Sequence, residues 1–189
     1  MQTRERTLCQ ACRKALPWHV QNPLSRELLI SVFDYTDPIR QLILAGKSGK
    51  QLDKLQLLAD LIADTLPGQI AERPQAILPV PLHVSRLRER GFNQSVELAK
   101  PLARRLGIPL LLDLVERQRN TGDQKALSAS DRQINVLHAF KLRHSLPYQH
   151  IALFDDVLTT GSTCAELQTL LLAHGVTKVQ IWTCARTKQ

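Results

Sequence analysis

The sequence predicts an α/β fold in which parallel strands are flanked by helices. Three strand-length apolar runs carry that prediction: QAILPVPL (75–82), HIALFDDVL (150–158) and KVQIWTCAR (178–186). The second observation is what separates them. FNQSVELAKPLARRLG (92–107) and STCAELQTLLLAHG (162–175) repeat apolar residues at helical spacing, and each ends in a glycine that can close a helix. Strands joined through helices run parallel and are buried on both faces, which suits runs with little polar alternation.

Upstream, ELLISVFDY (27–35) reads as a further strand, and the apolar spacing from Ile39 to Leu66 reads as helix, stopped by Pro67 and Gly68. Residues 1–27 lack periodicity and form a small irregular N-terminal element; residues 28–189 form the main domain. RQRNTGDQKALSASDRQINV (117–136) is polar and contains glycine, so it reads as a long mobile loop of the kind that serves as a lid. Its Arg117, Arg119, Lys125 and Arg132 could close over a site.

Composition narrows the function. With 189 residues, 43% hydrophobic and 22% charged, the chain can bury one substantial core. No apolar run approaches the roughly 18 residues of a membrane span, so no membrane insertion is expected. Met1 is followed by polar residues, which predicts a cytoplasmic protein without a secretory leader or disulfides. Lys and Arg number 25 against 17 acidic residues, and a net charge of +8 suits polyanionic ligands, phosphorylated metabolites or nucleic acid. Aromatic residues make up only 4%, which weighs against strong base stacking on single-stranded DNA.

The most informative stretch is IALFDDVLTTGST (151–163). In a parallel sheet ligands sit beyond the carboxyl ends of the strands, where Asp155 and Asp156 fall. Thr159, Thr160, Gly161, Ser162 and Thr163 then enter a helix, whose first N–H groups and dipole favour a phosphate. Two carboxylates repel a phosphate, so their partners are hydroxyl groups or a divalent cation. A Walker B strand is the rival reading. It fails on spacing: Gly46-Lys47-Ser48 has Gln41 where the first glycine of a Walker A loop must stand.

This stretch resembles the phosphoribosyl diphosphate signature of type I phosphoribosyltransferases. The resemblance implies a type I phosphoribosyltransferase-like parallel sheet flanked by helices. It implies that Asp155 and Asp156 hold the ribose hydroxyls, that residues 159–163 cradle the 5-phosphate, and that Mg2+ accompanies phosphoribosyl diphosphate. In PVPLHVSRLRERGFNQSVELAK (79–100), Arg86, Arg88 and Arg90 precede a glycine turn and could receive the pyrophosphate. This segment, with YTDPIRQLILAGKSGK (35–50) and residues 117–140, is similar to the ComF/GntX family of competence and DNA-utilisation proteins, from about residue 28 onward. That similarity implies a role in DNA uptake, with single-stranded DNA or the uptake machinery as partner. The alternative is a transferase of nucleotide metabolism with no DNA role. One departure concerns zinc: family members begin with paired C-x-x-C motifs, whereas this chain has Cys9 and Cys12 alone. A structural zinc needs about four ligands. His19 is a candidate third, and zinc is therefore doubtful.

Overall fold

The computed structural model describes residues 8–21, 28–47, 51–119 and 139–188. In chain order these form α1 (Gln10–Lys14), β1 (Leu29–Asp34), α2 (Ile39–Lys47), α3 (Leu52–Thr65), a 3-10 turn (Leu66–Gln69), β2 (Ala76–Pro79), α4 (Val84–Arg90) and α5 (Gln94–Leu106). They continue with β3 (Val115–Arg117), β4 (Phe140–Leu142), β5 (His150–Leu158), α6 (Ser162–Ala173) and β6 (Lys178–Arg186). Among the described residues the main sheet has the order β1-β6-β5-β2, with every pairing parallel. β3 and β4 make a separate antiparallel pair.

β5 explains the layering. Ala152 and Phe154 project into a core shared with α2, α3 and α5, and Ile151 and Leu153 into a second core under α6 and the β3–β4 pair. All four are fully buried, because alternate side chains of a central strand face opposite layers. α5 forms as its spacing predicts. Leu98, Ala99, Leu102 and Ala103 are its buried stripe, the Asn93 side chain accepts the Ser95 N–H at its start, and Gly107 ends it at φ +62°.

The side on which the chain adds neighbouring strands reverses between β2 and β5. From β2 the chain passes through α5 to Leu110, which pairs in parallel with Ile77 on the outer side of β2. It later enters β5 on the inner side and proceeds through α6, on the opposite face, to β6. Such a reversal opens a crevice at the carboxyl ends of the two strands.

The structure departs from the sequence reading in four places. The long upstream helix is two, α2 ending at Lys47 and α3 resuming at Leu52. α4 and the β3–β4 pair carry too few apolar residues to show periodicity. Val115–Arg117, the last of which opens the predicted loop, are strand, while 120–136 lie outside the described residues. Within the N-terminal element, the described residues 8–21 include a short helix and are tied to β1. Asp34 N–H donates to Pro17 O at 2.9 Å, His19 N–H donates to Val32 O at 3.0 Å, and the Trp18 ring tilts over Phe33 at 4.7 Å. No described helix is long and apolar enough to cross a membrane.

Phe154 is wholly buried beneath α5, so Phe154→Ala is expected to cost about 3–5 kcal/mol in urea unfolding. Leu112, 54% exposed, should tolerate alanine within about 0.5 kcal/mol in the same assay.

Candidate functional site

β5 is paired with β2 only as far as Phe154, where Val80 N–H closes the ladder on Phe154 O at 2.8 Å. On its other side the pairing with β6 continues to Leu158. Asp155 and Asp156 occupy the stretch where the strand has lost one neighbour. They lie within the strand, partly buried, at the mouth of the crevice.

Their surroundings differ. Asp155 Oδ1 accepts the Ser95 hydroxyl at 3.3 Å and the Asp156 N–H at 2.8 Å. Asp156 Oδ1 accepts the Val157 N–H at 2.8 Å, and its Oδ2 faces Lys47 Nζ at 3.2 Å. Burial, followed by the charge of Asp156, pushes the Asp155 carboxyl up to about 7. Arg117, its own pKa lowered by burial, lies within the electrostatic reach of Asp155 and Glu166. Its guanidinium stacks over the Phe140 ring at 5.4 Å. Glu166 in turn accepts the Ala139 N–H at 2.6 Å. Cys164 and Cys184 are buried beside the pair, and burial raises both thiols, with Asp155 and Asp156 adding to the shift. Such thiols are unreactive.

The turn after β5 is short and exposed at Thr159 and Thr160. Gly161 sits at φ +77°, a conformation that costs a side-chain-bearing residue energy, and serves as the N-cap of α6 without a capping side chain. Thr160 Oγ1 and Ser162 Oγ are 3.1 Å apart. Thr160 Oγ1 also accepts the Ser162 N–H at 3.5 Å, while Gly161 itself lends the first turn of α6 no capping side chain.

The three arginines are placed by α4, which runs from His83, whose ring accepts the Ser85 N–H, to Gly91 at φ +78°. Arg86 and Arg90 are one helical turn apart; Arg88, two residues from each, falls on the other face. Arg86 pairs with Glu89 at 3.1 Å and Arg90 donates to Gln94 Oε1 at 2.7 Å. Of the basic residues assigned to the loop, Arg117 reaches the site and Arg119 is exposed, while Lys125 and Arg132 lie outside the described residues.

Cys9 and Cys12 are exposed on α1, with the Cys12 N–H directed at Cys9 Sγ at 3.4 Å. His19 binds Asp34 at 2.6 Å, and among the described residues no three metal-capable side chains gather. Two thiols alone do not fit a structural zinc.

Residues 93–189 match the phosphoribosyl transferase domain model. The chain is 36% identical to competence protein F of Haemophilus influenzae, over 94% of this chain and 84% of that protein. It is 37% identical to DNA utilization protein YhgH of Escherichia coli K12, over 97% and 86%, and 24% identical to competence protein ComFC of Bacillus subtilis, over 91% and 70%. The chain belongs to the phosphoribosyl transferase domain family, among the relatives of competence protein F and DNA utilization protein YhgH.

The sequence reading places the acidic pair in the last part of a strand and the turn just before a helix, as the structure does. It missed Ser95, Lys47 and Glu166, whose distance along the chain hides their proximity; only the Asn93-Gln94-Ser95 run beside the arginines hinted at Ser95.

A raised Asp155 pKa means the folded chain keeps a proton that the unfolded chain releases, between the ordinary carboxylate range and about 7. Stability therefore falls as pH rises through that window. Asp155→Asn should remove this slope, making the variant more stable than the parent at pH 8 by about 1 kcal/mol or more and no more stable near pH 4, read by thermal melts.

Proposed function

We propose that this chain binds phosphoribosyl diphosphate, or a closely related phosphosugar, between the acidic pair of β5 and the turn into α6, and that it acts in the uptake or use of DNA. The observation that carries the reading is the freeing of β5 from β2 at Phe154. It sets two carboxylates next to a helix start whose N-cap residue, Gly161, carries no side chain. Carboxylates accept hydrogen bonds from sugar hydroxyls; helix N–H groups donate them to phosphate. One ligand that presents both, a few ångströms apart, is a ribose 5-phosphate. The DNA role rests on the relatives' names and on a charge of +8.

Magnesium fits this site with most of its shell supplied from outside the chain. Two carboxylates, one facing an ammonium, give fewer than the roughly six oxygen ligands the ion takes, so water, and diphosphate oxygens when the sugar is bound, would complete its shell. Bound this way, the ion would neutralise the diphosphate as it leaves. The chain's own residues orient and enclose. Asp155 and Asp156 fix the ring through its hydroxyls, residues 159–163 anchor the 5-phosphate, and Arg117 adds positive charge on the crevice side. Displacement of pyrophosphate by a nitrogen nucleophile is the reaction this arrangement would serve, since rigid holding and charge neutralisation are what an oxocarbenium-like transition state needs. Arg86 and Arg90 are the α4 residues suited to the diphosphate; Arg88 faces away from them.

Calorimetry with phosphoribosyl diphosphate and Mg2+ tests the ligand. Binding should weaken at least about 100-fold in Asp155→Asn/Asp156→Asn, and undiminished binding would refute the role of the pair. Gly161→Val, which forces a branched residue to φ +77°, should weaken it as well. For single-stranded DNA the test is salt: a log-log slope near zero rules out phosphate contacts as the source of affinity.

A further inference from the structure

The acidic pair has a cation of its own. Lys47 Nζ lies 3.2 Å from Asp156 Oδ2, the lysine side chain 32% exposed and the carboxylate 17%. The lysine is the last residue of α2, an element far from β5 in the sequence that packs into the same core. Its backbone position is set by packing. α2 buries Ile39, Ile43 and Gly46, and a Cβ on Gly46 would meet Leu55 Cδ1 at 3.2 Å. The glycine lets α2 close on α3, and that closure delivers the next residue to the carboxylate. Across the pair Asp155 is held differently, by the Ser95 hydroxyl and the Asp156 N–H. Among the described residues only Asp156 of the pair has an ammonium in contact, and a lysine ammonium is a compact charge on a flexible stem, able to leave without moving the helix.

We propose that Lys47 is a tethered cation: it occupies the Asp156 carboxylate when no phosphosugar is bound, excludes free divalent metal from the acidic pair, and yields when the sugar arrives with its own metal. The inference rests on the phosphosugar reading for its purpose, but the exclusion of metal is a property of the chain alone. An intramolecular ammonium acts at a high effective concentration, which a dissolved ion must overcome. Its consequence is an order of events. Metal and sugar enter together, because the diphosphate brings oxygen ligands beyond those of the pair and the metal brings the positive charge that displaces Lys47.

The test is calorimetry with Mg2+ alone, in the absence of phosphosugar, on the parent chain, Lys47→Met, Lys47→Arg and Lys47→Met/Asp156→Asn. Thermal melts confirm that each is folded. Lys47→Met should bind Mg2+ at least ten-fold more tightly than the parent, Lys47→Arg should behave as the parent, and the double variant should lose the gain. Equal Mg2+ affinity in the parent and Lys47→Met, including none in either, would overturn the proposal. So would a gain that survives Asp156→Asn. If the parent fails to bind phosphoribosyl diphosphate with Mg2+ in the same instrument, the functional reading falls, and the Mg2+ comparison still decides the role of Lys47.

Discussion

The unequal length of the two ladders on β5 is the constraint from which the site follows. On the β2 side hydrogen bonding stops at Phe154; on the β6 side it continues to Leu158. From Ile151 to Phe154 the strand is sealed between two cores and carries apolar residues alone. Beyond it, one edge is open, and polar side chains can be accommodated without full desolvation. The acidic pair sits at that transition. One carboxyl is buried enough to hold its proton near neutrality, and the other is exposed enough to meet a lysine.

The same constraint accounts for what was legible in the sequence. β5, α6 and β6 match their predicted bounds at nearly every residue, because a strand buried on both faces and a helix over it leave unbroken apolar runs. The pair and the glycine turn were visible for a related reason: two acids directly after four apolar residues have no place in a core. α4 was not visible, since Val84–Arg90 buries none of its residues and so carries no periodicity. Its limits come from His83 and Gly91, local capping signals that are weak without a stripe between them.

What the sequence could not show is the enclosure of the pair. Ser95 comes from α5, Lys47 from α2, and Arg117 from β3. Each is an ordinary surface-type residue in its own element, and only packing gives it a partner. Asn93 illustrates the point. Its oxygen caps α5, while its Nδ2 donates to Val80 O at 2.9 Å, tying the helix to the end of β2 and setting Ser95 against Asp155. The glycine at 46 works at longer range, letting α2 approach α3 so that Lys47 arrives at β5. The surroundings are thus assembled from three elements around one strand end, and substitutions far from the acids in sequence act on them through geometry.

A crystal structure of the protein soaked with ribose 5-phosphate addresses the central claim most directly. The account predicts phosphate density against residues 159–163 and the ring hydroxyls on Asp155 and Asp156. Density for the sugar elsewhere in the fold, with the acidic pair and the turn untouched, would contradict it.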